Sequence, residues 1–161
     1  MKKVNQLVLM IAIFCWAGIV GAIFYSHIAV LPSILYHLPE SRVLENGPFQ
    51  IKDEFFWKAI HPIVILFTML ALIFNWKNIQ RRKLIGAASI IYIIALIATF
   101  TFFVPELITM LKSNQNISIT KSEWLARGER WIKLSWIRGG FMFIGFFLLL
   151  QSLTKSDQNN F

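Results

Sequence analysis

Four side chains in this sequence combine reactive chemistry with apolar surroundings: His27, His61, Glu106 and Arg138. Imidazole titrates nearest neutral pH of all side chains, so either histidine suits a general base. A guanidinium in a dry site stabilises a developing oxyanion. Charge at membrane depth is costly unless it is paired or reaches water. Arg138 therefore demands an account, because it lies within EWLARGERWIKLSWIRGGFMFIGFFLLLQSL, a charged, Trp-rich start that runs unbroken into an apolar segment. At 1.5 Å per residue it falls about 10 Å deeper than Trp131, on the same helical face.

Four apolar blocks position these groups: Leu7–Leu31, Phe55–Trp76, Leu84–Val104 and Trp131–Leu153. Each is near the ~20 residues that cross a hydrocarbon core. Apolar residues make up 57% of the chain and charged residues 15%, against roughly 45–50% and about 25% in soluble domains. The reading is all-α: a four-helix transmembrane bundle forming one domain over 1–153, with a polar tail over 154–161. Lys2 and Lys3 resemble the start of a signal peptide, but the apolar run continues to Leu31, so the first span is read as retained.

Lys2, Lys3, Lys77, Arg81, Arg82, Lys83 and Lys155 share one side with Asp157 as their only acid. The positive-inside rule places that side, and both termini, in the cytoplasm of a cell (inner) membrane. The net charge of +8 is thereby assigned to topology and lipid headgroups, and no nucleic-acid motif is present. A single cysteine, Cys15, rules out an intrachain disulfide.

Polar residues recur at intervals of seven along two spans: Glu54, His61, Thr68 and Asn75 on the second, and Tyr92, Thr99 and Glu106 on the third. Each set lies along one helix face and should point into the bundle. Ala17, Gly18, Gly21 and Ala22 form overlapping small-xxx-small pairs, which permit close helix approach. Pro32 predicts a kink, Asn46-Gly47-Pro48 a turn, and Thr120-Lys-Ser-Glu123 a capping box ahead of the last span. Asn116-Ile-Ser118 is formally a glycosylation acceptor, given no weight here. The six tryptophans are read mainly as interface anchors.

By depth, His27, His61, Glu106 and Arg138 converge towards the non-cytoplasmic side, joined in the outer third by Tyr25, Lys58, Trp131 and Lys133. A polar pocket opening to that side is expected. Its candidate catalytic groups are His61, His27 and Arg138, and its candidate substrate-binding groups are Tyr25, Glu106, Trp131 and Thr99. Each has a plainer alternative: His27 in the headgroup region, His61 bonded to the carbonyl that Pro62 frees, Glu106 as a solvated helix end, and Arg138 snorkelling or clamped to Glu106. No metal site is expected, since neither a carboxylate pair nor an HxxxH spacing accompanies the histidines. No cofactor is required, although two histidines at similar depth would also suit axial ligation of a haem. Membrane lipid, a lipophilic small molecule and a second copy of the chain are the candidate partners.

The pattern AGIVGAIFYSHIAVLP in span one, TFFVPELI closing span three and RWIKLSWIR leading into span four resembles the anthrone-oxygenase-like four-span membrane family, most of whose members have no assigned function. Trp131 and Arg138 match that family's Trp…Arg pair, and Pro105 its Pro, while Leu107 stands where the family has Asn. The resemblance implies oxygenation of an activated aromatic or enol without metal or flavin. His61 or His27 would be the base, and Arg138 the oxyanion stabiliser. A haem- or quinone-binding redox subunit and a non-enzymatic membrane binding protein are the competing readings.

Overall fold

In the computed structural model, residues 2–44, 52–112 and 119–155 are described. The expected Asn46-Gly47-Pro48 turn and the Asn116 acceptor fall outside them. In chain order the elements are α1 (Lys2–Tyr25), a π-helical segment (Ser26–Val30), α2 (Leu31–Leu35) and a 3-10 turn (Glu40–Leu44). They continue with α3 (Asp53–Phe74), α4 (Ile79–Ala98), a second π-helical segment (Thr99–Phe103), α5 (Val104–Lys112) and α6 (Lys121–Leu153). No strand occurs among the described residues. Four stretches are long and apolar enough to cross a membrane: Lys3–Leu35, Asp53–Phe74, Ile79–Lys112 and Lys121–Leu153.

The starts of these helices follow from local chemistry. The Thr120 hydroxyl accepts the Glu123 N–H (3.3 Å) and the Glu123 carboxylate accepts the Thr120 N–H (2.8 Å), the expected capping box. Asn78 caps α4 by accepting from the Arg81 N–H. Where Pro32 predicted a kink, the chain instead widens into a π turn just before it, and Pro32 opens α2.

α1 packs on α3 and α6, and α6 packs on α4, closing three sides of a square. The fourth side, between α3 and α4, is packed more lightly. One apolar cluster fills the half nearer the termini around Trp16, whose indole donates to the Thr68 hydroxyl (2.9 Å) and whose ring lies 5.2 Å from Tyr92. A second cluster fills the far end, where Leu35, Leu38, Phe103, Met110, Trp124 and Trp131 meet; α3 contributes nothing to it. Trp16, Trp124 and Trp131 are therefore core residues rather than interface anchors, each 4% exposed or less.

Close helix approach uses glycines other than those the small-xxx-small pattern singled out. A Cβ at Gly18 or Gly21 would meet nothing within 4 Å, and both lie on the exposed face of α1. The tight contacts belong to α6: a Cβ at Gly128 would come 2.6 Å from the Leu35 carbonyl oxygen, and one at Gly145 would come 2.7 Å from Trp16. Trp16 cannot retreat without losing Thr68, so Gly145→Ala should cost about 1–3 kcal/mol. Gly140→Ala, which meets nothing within 4 Å, should be neutral or slightly stabilising. Thermal melts of the two variants in the same detergent check this; equal melting temperatures would refute the Trp16 lock.

At the end carrying the termini, Asn75 Nδ2 donates to the Asn5 carbonyl, and Arg81 donates to Asn75 Oδ1 (3.2 Å) and to the Lys155 carbonyl (2.9 Å). One buried arginine thus joins the helix starts and ends that gather there. At the far end the Lys121 ammonium bonds the Glu40 carboxylate (2.6 Å) and holds its carboxyl below the usual carboxylate range.

Candidate functional site

Arg138 sits on α6 facing the third span. Its guanidinium lies 4.1 Å above the Phe103 ring and donates to two hydroxyls, Thr99 Oγ1 (2.8 Å) and Ser135 Oγ (2.9 Å). Each hydroxyl passes its own proton onward. Thr99 donates to the Ala95 carbonyl (2.6 Å). The Ser135 hydroxyl lies 2.9 Å from His27 Nε2, and His27 Nδ1 lies 2.7 Å from the Ile23 carbonyl oxygen. A carbonyl can only accept, so Nδ1 carries the proton, and in the neutral ring Nε2 accepts from Ser135. The result is a one-way chain from Arg138 through Ser135 and His27 to the α1 backbone.

No carboxylate among the described residues takes part. The alternative of an Arg138–Glu106 clamp is not formed: Glu106 instead receives two bonds from Arg127, both 2.7 Å. Among the described residues, no ion pair includes Arg138. A guanidinium has five N–H donors, and Nε of Arg138 has no protein partner among the described residues, yet is not sealed from the surroundings. The site is therefore a cation with a spare donor, neutralised by dipoles alone.

Both π segments deliver groups to this centre. The first carries His27 and the second begins at Thr99 and ends at Phe103. A π turn widens the helix and frees backbone groups, which is why such turns gather at functional sites. The Phe103 carbonyl is taken up by the Trp131 indole N–H (2.9 Å). Trp131, expected to touch substrate, is buried and pins the π turn that positions Thr99 and Phe103.

His61 occupies the lightly packed α3–α4 side. Its Nδ1 lies 2.7 Å from the Tyr92 hydroxyl, and its ring stacks on Trp57 with centroids 5.9 Å apart. It does not serve the carbonyl freed by Pro62. Nε2 makes no hydrogen bond among the described residues and is not sealed off. With Nδ1–H donating to the phenol oxygen, Nε2 presents a lone pair; with the phenol donating, Nε2–H points outward. The His61–Tyr92 pair can thus take a proton and return it.

Tyr25 is not part of the site: 66% exposed, it lies on the outer surface of α1. Of the seven candidates, Thr99, His27 and Arg138 form one bonded network, His61 bonds Tyr92 apart from it, and Glu106, Trp131 and Tyr25 do other things. The sequence reading passed over Ser135, which joins His27 to Arg138. The signal was available, since Ser135 lies one helical turn before Arg138 and on its face. Tyr92 was placed on a polar stripe but not connected to His61.

The haem alternative meets an obstacle in the donor set. His27 has both ring nitrogens engaged at the α1–α6 contact, so bis-histidine ligation would require it to release Ser135. Among the described residues, no group of three or more potential metal ligands occurs.

No protein-family model, curated protein or solved structure matches the chain.

Proposed function

We propose that the chain is a membrane oxidoreductase of the cofactor-independent oxygenase type, acting on a lipophilic aromatic or enolic compound. The observation that carries this reading is Arg138: a cation at membrane depth with a spare donor and no carboxylate partner among the described residues, while His61 on another span carries an unused Nε2. Such a pair is suited to a substrate that becomes an oxyanion when it loses a proton. His61 would accept the proton at Nε2, with Tyr92 holding the ring. Arg138 would hold the resulting oxyanion, while Ser135 and Thr99 fix the guanidinium. The basic residues around the termini support a cell-membrane setting with both termini in the cytoplasm.

Anthrone is the test compound the resemblance suggests. Loss of a C10 proton to His61 gives the anthrolate anion, which O2 attacks at C10. Return of a proton gives the C10 hydroperoxide. Cleavage of its O–O bond, with loss of the second C10 hydrogen, releases water and leaves anthraquinone, so anthrone and O2 give anthraquinone and water. Protein in lipid nanodiscs should raise O2 uptake with anthrone above that of empty discs, and His61→Ala should abolish the increment with the fold intact. Equal uptake by protein and empty discs would sink the oxygenase reading. A quinone-binding protein without turnover would instead bind reduced and oxidised ring compounds alike.

A further inference from the structure

The far end of the bundle is closed where a water-facing mouth was expected. Over the first, third and fourth spans it is filled by Leu35, Leu38, Met110, Trp124 and Trp131. The side wall differs. No residue of α3 before Val64 is buried; Trp57, Ile60 and His61 are only half-buried. This part of α3 has at most sparse contact with Thr99–Phe103 and α5. His61 lies along this weakly closed seam, and Phe100 and Val104 of the third span are exposed beside the turn that holds Thr99 and Phe103. The wall is apolar outside and cationic within, and among the described residues no carboxylate pairs with the cation.

Building on the function proposed above, we infer that the ligand comes laterally from the lipid through the seam between α3 and the third span: a membrane-dissolved compound with an acidic ring hydroxyl, its oxygen directed to Arg138 and its apolar tail left between Ile60 and Phe100. Charge complementarity selects this occupant. An anionic oxygen satisfies the spare guanidinium donor, whereas a cationic or purely hydrocarbon lipid does not. A compound reaching the site from water would have to pass the packed apolar end.

The probes are 2-hydroxy-1,4-naphthoquinone, whose enolate has its own visible band, and its 3-alkyl derivative carrying a photoreactive diazirine at the tail end. Both are titrated into nanodiscs holding the full-length protein. The tailed probe should bind as the anion, and Arg138→Gln should weaken it about 10- to 100-fold. Photolabel should fall on 53–63 and 99–104. The tailless compound should bind at least tenfold more weakly than the tailed one when both are referred to total volume. Arginine-dependent binding with label on α1, α6 or 40–44 would overturn the lateral route and leave the proposed function standing. Equal binding of the tailless probe would do the same. Failure of the tailed probe to bind would overturn both readings. Binding with the expected label that survives Arg138→Gln would refute the anionic-oxygen assignment alone.

Discussion

Arg138→Met should yield a protein that melts no lower than the original yet has lost its ligand. Methionine fills a similar apolar volume and removes a cation from membrane depth, where arginine costs about 2.5–3.5 kcal/mol on insertion scales. The hydroxyls it leaves keep acceptors of their own, since Ser135 retains His27 and Thr99 retains the Ala95 carbonyl. Replacing buried charge with apolar volume is often neutral or stabilising by about 1–4 kcal/mol. Loss of one oxyanion donor, by contrast, costs about 10²–10³ in turnover. Melting temperature and enolate binding, measured on the same nanodisc preparation, should therefore move in opposite directions or decouple. A melting temperature that falls by several degrees would mean that Arg138 is a structural clamp, and the site would go with it.

Ser135→Ala should produce the opposite pattern. His27 is 4% exposed and its Nε2 would be left without a donor. A buried group stranded in this way costs about 1–3 kcal/mol. The loss should shrink when His27 is also replaced, because removing both partners of a buried bond is cheaper than removing one. A double-mutant cycle with His27→Phe, read by thermal unfolding, isolates the coupling. A coupling energy near zero would show that the Arg138–Ser135–His27 chain contributes nothing to holding α1 against α6.

The four apolar blocks, the capping box at Thr120 and the inward polar stripes were readable because period and length are written directly into sequence. His61, Thr68 and Asn75 do point inward, to Tyr92, Trp16 and Asn5 respectively. The same reasoning failed for Glu106, and the cause is geometric. Extrapolating a seven-residue interval assumes an unbroken α-helix, but Thr99–Phe103 is π-helical. A π turn absorbs one additional residue and so rotates everything after it by about 100°. Glu106 is thereby turned from Arg138 towards Arg127. The glycine pattern in span one misled for another reason. Small residues permit close approach but do not specify which partner comes near, and here Gly128 and Gly145 of α6 receive the bulky neighbours. Ser135 carries no periodic signal of its own, and only its place one helical turn before Arg138 marks it.

The uneven packing of α3 also bears on how the molecule must be handled. Its segment from Asp53 to Ile63 is exposed or half-buried throughout, so in a bilayer acyl chains would cover its apolar side chains. Amphiphile would then act as a structural component on that flank. Extraction into a small, short-chain micelle should fray this stretch first, releasing its amides to deuterium exchange while α1 and α6 stay protected. An inactive preparation in harsh detergent would then report on the solvent chosen rather than on the chemistry of His61.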